Sequence, residues 1–324
     1  MSSPRITFRT VVTAFILLGI LAITLAPVAN RPPLPFSFDV AAGRRWLADG
    51  ILNLFLFVPV GLAVGWSSRS FTAPVLFGLL LSIFIELVQL IVPGRDPGIG
   101  DILFNALGAT AGALLANRRS AWLRPDERTS ASLAGWSIAV AASLMIATAL
   151  LLSPVGGENL LSIGRTGDDL VLRYPSRASA VGLDQPEYRL PAAIAGSSGT
   201  HAVPPSIRRE KAHWRLITGT GGQAPIGPTV GQGWALLAYP DVIGRRSSAV
   251  VNALWMLAVC LPIGFWARGR LRPIAAAAVI VLMVLVPKLT GTVTTGVLEW
   301  IGAGAGFTAG VLLAAFLAGR PGKR

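Results

Sequence analysis

The chain has 324 residues, of which 53% are hydrophobic and only 13% charged, with a formal net charge of +13 and a mean hydropathy of +0.64. Soluble domains carry about 25% charged residues, so this balance excludes an ordinary soluble globule and indicates the membrane class. The cations are almost all arginine and many flank apolar runs instead of lining one polar face, which argues against nucleic acid as a partner and for topology-setting loop charge. The single cysteine, Cys260, excludes an intrachain disulfide. The two histidines, His201 and His213, have no metal-ligand company in the sequence, so neither a metal site nor a cofactor is expected.

About 20 apolar residues are needed to cross a bilayer. Eight candidate spans follow in chain order: 10–29, 50–67, 72–93, 99–117, 131–153, 249–267, 274–291 and 297–318. The second and seventh are short and contain Pro59 and Pro287, which allows tilt, a kink or partial re-entry. The first run follows Arg5 and Arg9, and Ala26–Ala29 offers a signal-peptide cleavage motif. Its apolar stretch is long for that role, so a retained span is expected.

Short-loop charge sets orientation. With a cytoplasmic N-terminus, the inside segments hold Arg5, Arg9, Arg69, Arg118, Arg119, Arg124, Arg128, Arg268, Arg270, Arg272, Arg320, Lys323 and Arg324. The short outside loops hold Arg31, Arg44, Arg45, Arg95 and Lys288. The bias predicts both termini in the cytoplasm of an inner (cytoplasmic) membrane and the Pro93–Gly100 loop outside.

Residues 154–248 change character. They are rich in Gly, Pro, Ser and Arg, with β-prone runs Asp169–Tyr174 and Trp234–Tyr239 and a turn signal at Gly219–Gln223. The expectation is a small β-rich extracytoplasmic insert, the alternative a disordered loop. Tyr174, Tyr188, Trp214 and Trp234 are expected to form its core rather than a binding face.

An internal repeat is visible. Gly108-Ala-Thr-Ala-Gly-Ala-Leu-Leu-Ala116 recurs as Gly306-Phe-Thr-Ala-Gly-Val-Leu-Leu-Ala314, with seven of nine positions identical, and Pro59-Val-Gly61 has an echo in Pro262-Ile-Gly264. At the first offset Asp101 falls on Glu299, whereas Asn105 becomes Ala303, Glu86 becomes Val284 and Gln89 becomes Pro287. The second copy is thus depleted of polar residues, keeping Glu299, and the chemistry is expected in the first. Glycines four residues apart in both copies suit close helix packing.

The polar residues of the first copy are the most informative feature. Glu86 and Gln89 share one face of the third span at i,i+3, and Asp101 and Asn105 share one face of the fourth at i,i+4. The short loop between them makes the two helices antiparallel neighbours, with Arg95 and Asp96 above the polar faces and Asn53 of the second span near by. Ionisable groups in hydrocarbon face a bundle interior, pair, or carry function. Three readings stay open: interhelical hydrogen bonding, worth about 1 kcal/mol per contact; recognition of a polar lipid head group or envelope precursor, with Arg95 suited to phosphate; and acid–base catalysis with Glu86 or Asp101 as base. No nucleophile–base pair, metal cluster or phosphate-cradling loop assigns catalytic residues.

The pattern Glu86-x-x-Gln89, Pro93-Gly94-Arg95, Asp101, Asn105-x-x-Gly108-x-x-x-Gly112, preceded by Asn53-Leu-Phe-Leu-Phe-Val-Pro-Val-Gly61, resembles the VanZ-like family of bacterial membrane proteins over roughly residues 10–117. The resemblance implies a cell-envelope role, and an association with low-level teicoplanin resistance, without implying a reaction. It carries Asn53, Glu86, Gln89, Arg95, Asp101 and Asn105 as ligand-binding positions. The reading is therefore an all-α polytopic membrane protein of about eight transmembrane helices with a small β-rich extracytoplasmic insert. Its parts are a VanZ-like domain at 1–130, a linking helix at 131–153, the insert at 154–248 and C-terminal helices at 249–324. The expected partner is a membrane lipid or lipid-linked envelope precursor; a membrane enzyme on such a substrate is the second choice and a transporter the third.

Overall fold

A computed structural model describes residues 8–27, 32, 34–68, 70–156, 161–166, 169–191, 206–217, 223–238 and 245–318. The chain divides into two compact units, Met1–Arg119 and Ser120–Arg324. His201, the termini, Arg31, Arg69, most of the Gly219 turn and the end of the cleavage motif lie outside the described residues.

The first unit contains α1 (Phe8–Leu25), α2 (Trp46–Ser67), α3 (Thr72–Gln89) and α4 (Ile99–Asn117). α2 runs unbroken through Pro59. α1 packs on α2 and α3, and α4 packs on α2 and α3. The core is Ile20, Phe57, Val60, Ile85 and Ala109, one residue or two from each helix. The segment before α2 crosses the α3–α4 turn: Ser37 N donates to Pro97 O and Ile99 N to Ser37 O, both at 2.9 Å.

In the second unit, the short α5 (Arg119–Leu123) straddles the boundary and α6 (Glu127–Leu152) follows. Asp126 caps α6, its side chain accepting from Thr129 N at 2.7 Å. Capping starts this helix before the apolar run that hydropathy detects. The insert holds two antiparallel three-stranded sheets. One is β1 (Ser162–Thr166), β2 (Asp169–Arg173) and β3 (Glu187–Pro191), with the short α7 (Arg177–Ala180) between β2 and β3. The other is β4 (Ser206–Glu210), β5 (His213–Ile217) and β6 (Gln223–Ile226). Leu172, Tyr174, Trp214, Leu216 and Ile226 form its core with Tyr188 against it, and the rings of Tyr174 and Tyr188 stack at 5.8 Å. The aromatic residues are buried or pack against the core, as expected, Trp234 at 7% exposed included, but its segment differs from the β-prone reading. Trp234 belongs to a 3-10 helix, Val230–Leu236, rather than to a strand. Thr229 and Gln232 form a capping box there, and Gly231 and Gly233 allow it to lie against helices instead of pairing in a sheet.

The unit closes with α8 (Arg245–Trp266), α9 (Leu271–Thr290) and α10 (Val297–Ala318). α9 is continuous through Pro287 and ends at Gly291 in the left-handed conformation. Among the described helices, seven (α2, α3, α4, α6, α8, α9 and α10) are long and apolar enough to cross a membrane; the apolar part of α1, Thr10–Leu25, is shorter. The chain is a multi-pass helical membrane protein with a small antiparallel β insert.

One packing frame occurs twice. A Cβ on Gly61, Gly108 or Gly112 would lie 1.9–2.2 Å from the carbonyl oxygen of Ala109, Leu54 or Val58, respectively. In the second unit Gly264, Gly306 and Gly310 stand 2.0–2.2 Å in the same sense from the carbonyls of Phe307, Leu257 and Leu261. The pairs α2/α4 and α8/α10 are therefore packed alike, residue for residue. The third helices differ: α3 packs along α4, whereas the main helical partner of α9 is α6.

The insert's surface carries a charged pair with a testable pH response. Arg215 donates to both oxygens of Glu210 at 2.5 Å, which holds the Glu210 carboxyl below its ordinary value. A carboxyl lowered on folding adds stability above its unfolded pKa, about 4.3, and loses it as pH falls through the lowered value. Amide-exchange protection of β4 and β5 should fall with acidification in that window. Arg215→Gln should flatten the profile; an unchanged profile would show that the pair does not hold the hairpin.

Candidate functional site

The loop-facing ends of α2, α3 and α4 gather the polar residues of the first unit. Glu86 is 2% exposed, and its Oε2 accepts from Gly98 N at 2.8 Å, across the α3–α4 turn. Gln89, three residues on along the same face, is buried and donates to the Thr24 carbonyl of α1 at 2.9 Å. Asn105, also 2% exposed, donates through Nδ2 to Ser82 Oγ at 2.9 Å, while its Oδ1 has no partner. Ser82 lies one turn before Glu86 on α3, and Asn105 one turn after Asp101 on α4. The amide–hydroxyl pair thus sits beneath the two carboxylates.

Asp101 is half-buried, with the Asn53 side chain of α2 near enough to interact with it. Asp49, one turn earlier on α2, and Asp96 of the loop lie near enough to act on Asp101 electrostatically, and Asp101 acts likewise on Glu86. Arg45 Nη2 stands 3.7 Å from Asp49 Oδ1. Arg95 turns toward α1, where Nε donates to Ala26 O at 2.8 Å and Nη2 to Ile23 O at 2.5 Å. These carbonyls belong to the last turn of α1 and the residue beyond it, where a cation is favoured. Two of its three nitrogens are thereby occupied, and the guanidinium ties α1 to the loop.

Five of the six residues singled out in the sequence thus lie at one end of the bundle, and the sixth, Arg95, braces it. Ser82 and Asp49 were not anticipated. Their signal was present: a lone hydroxyl at i−4 from Glu86, and a carboxylate at i−4 from Asn53.

A second polar centre, also missed, lies in the second unit. Glu299, 3% exposed, accepts from Asn252 Nδ2 at 2.9 Å, from Gly296 N at 3.1 Å and from Thr229 Oγ1. Asn252 Oδ1 in turn accepts from Trp234 Nε1 at 2.7 Å. Gly231 packs against the Glu299 side chain. Its donors come from α8, the insert's 3-10 helix and the turn before α10, so it fastens the insert to the helices. Among the described residues, no group of three His, Cys, Asp or Glu side chains is placed to hold a metal ion.

The architecture is that of a polytopic helical membrane protein with a polar cluster at one end of its first helical unit. Residues 8–122, which correspond to that unit, match the family described as VanZ/LLP1. They form a VanZ-like region, as the motif resemblance implied, and they include every residue of the first polar cluster. No curated protein and no solved structure matched the chain.

Proposed function

We propose that the first unit binds the polar head of a membrane lipid or lipid-linked envelope precursor at the outer leaflet. The observation that carries this is the convergence of buried Glu86, Gln89 and Asn105 with Asp101 and Asn53 at one end of three apolar helices. Buried polar groups of this number are retained where they pair or serve a function, and Asn105 keeps an unpaired acceptor. The short-loop charge bias supports an outside location for this end. A membrane enzyme acting on the same substrate class would use the same carboxylates. A change in teicoplanin susceptibility on deletion is the cellular expectation.

Native mass spectrometry of the purified protein tests binding. Co-purified lipid should be present and should fall with Glu86→Gln and Asp101→Asn, at unchanged folding. Lipid-free protein, or equal retention by both variants, would reject the proposal. On the enzyme reading, Glu86→Gln should abolish turnover while folding persists.

Topology has its own test. An alkaline phosphatase fusion at Thr200 should be active and one at Arg324 inactive. The reverse pattern would overturn the orientation, and with it the outer-leaflet location.

A further inference from the structure

In the second unit, three hydrogen bonds lock the α5–α6 turn to the α8–α9 turn. Trp266 Nε1, at the end of α8, donates to Trp122 O of α5 at 2.8 Å. Ser130 Oγ of α6 donates to Trp266 O at 2.7 Å, and Arg268 Nη1 donates to Pro125 O at 2.8 Å. The groups joined stand 136 to 144 residues apart in the chain. Trp122 O and Trp266 O belong to the last turns of α5 and α8, where carbonyls run out of intrahelical partners. The bonds therefore complete two helix ends and fix the turns against each other. α6 also packs along α9, which holds the start of α9 beside them.

This junction presents cations. Residues 124–128 and 267–272 hold five arginines and two acids. Arg124 and Arg128 come from one turn, Arg270 and Arg272 from the other, and all four are exposed. Among the described residues, the side chains of Arg128, Arg270 and Arg272 make no hydrogen bond or ion pair. Of the two acids, Asp126 is committed to capping α6, and Glu127 is exposed. Guanidinium groups held together in this way create a standing positive field that attracts an anion.

The surroundings indicate which anion. Trp122 and Trp266 are half-buried, and indoles of spanning helices lie at the level of the lipid head groups. Exposed apolar side chains begin directly beside the cations. Ile274, one turn beyond Arg270 on α9, is 63% exposed, and Trp136, two turns beyond Arg128 on α6, is 69% exposed. An acidic protein or a nucleic acid would leave these side chains unused. An amphiphile with an anionic head uses both parts of the surface. A zwitterionic head brings its own cation, which the surplus of arginine repels. The guanidinium fork also matches phosphate geometry with two parallel hydrogen bonds.

We propose that the junction of the α5–α6 and α8–α9 turns binds the phosphate of an anionic membrane lipid, with Arg128, Arg270 and Arg272 as its ligands and the lipid chains lying along α6 and α9. This site is separate from the polar cluster of the first unit and does not rest on the function proposed for it.

The test uses the full-length protein in detergent with equal amounts of phosphatidylglycerol and phosphatidylcholine of identical chains, read by native mass spectrometry. Phosphatidylglycerol should be retained at least about fivefold over phosphatidylcholine, the gain from a single arginine near a membrane surface. Arg270→Lys combined with Arg272→Lys keeps the net charge, and with it the topology signal, but removes two guanidinium forks. It should lose most of the preference at an unchanged thermal midpoint. A full preference in this pair would show that diffuse loop charge attracts the lipid, and would overturn the site. Trp266→Phe keeps the charge and the ring but cuts the bond to Trp122 O. It should lower the preference as well, as expected of a positioning residue. Inorganic phosphate in excess should not displace the lipid, because it has no chains to bind the apolar flank; displacement would overturn the assignment to lipid. Equal retention of the two lipids would reject the proposal outright. Glu86→Gln in the first unit should leave the phosphatidylglycerol preference intact, so the two lipid readings fail separately.

Discussion

Gly112→Ala, with Gly61→Ala and Gly108→Ala, should rank among the most destabilising single-methyl additions in the first unit. The added Cβ would lie 2.1 Å from Val58 O and 2.6 Å from Leu62 N. Both are backbone atoms, so no rotamer change relieves the clash. Separation of α2 from α4 is the remaining response, and it also breaks the contacts at Gly61 and Gly108, which approach the opposing backbone as closely. Helices in a bilayer associate largely through such close packing. Overpacking a core by one methyl costs about 1–3 kcal/mol, and an immovable backbone puts this site at or above the upper end. Gly310→Ala should behave alike in the second unit, where the Cβ meets Leu261 O at 2.1 Å. Gly304→Ala is the control. It sits in α10 with nothing within 4 Å, so the methyl should stabilise by roughly 0.5–1 kcal/mol. Thermal unfolding in detergent decides the matter. If Gly112→Ala melts with Gly304→Ala, the glycine stripe is not what sets this interface.

Glu299→Ala should release the insert from the helices. The carboxylate accepts from α8, the 3-10 helix and the turn before α10. Its removal leaves the Asn252 amide and the Thr229 hydroxyl short of a partner, at about 1–3 kcal/mol for each buried unsatisfied group. The 3-10 helix should detach first, because Trp234 is held by Asn252, which Glu299 orients. The expected readouts are faster proteolysis within residues 192–244 and a red-shifted tryptophan emission. Glu299→Gln keeps an oxygen for two donors and should lose less. Unaltered proteolysis in Glu299→Ala would show that the sheets hold the insert without this centre. Tyr174, which donates to Leu152 O at the end of α6, and His213, whose Nδ1 stands 2.8 Å from Gly291 O beyond α9, are among the attachments that would remain.

Much of this molecule was legible before any coordinates. Hydropathy located the spanning helices because burial in lipid demands uninterrupted apolar length, and the break at residue 154 marked the insert. The positions of Glu86, Gln89, Asp101 and Asn105 followed from helical spacing and a loop too short for anything but antiparallel neighbours. The repeat of Gly108–Ala116 at Gly306–Ala314 announced a shared packing mode, because small residues at a four-residue period leave few alternatives.

What the sequence alone determined about this protein was therefore local and periodic: which segments are helical and apolar, which faces are polar, and where two short motifs agree. The tertiary structure decided the pairings that depend on distant segments. Arg95 reaches the carbonyls of α1, although its side chain is equally suited to an external phosphate, because α1 ends beside the α3–α4 turn. Trp234 lies in a 3-10 helix because Asn252 and the helices offer it a partner that a strand would not. α9 lies along α6 whereas α3 lies along α4, so the second half repeats one helix pair of the first without repeating its third helix. Glu299 matched Asp101 by position, yet three donors from separate elements surround it while Asp101 faces Asp49. Long-range partners of this kind leave no periodic trace in a sequence, since each depends on which segment happens to pass close in space.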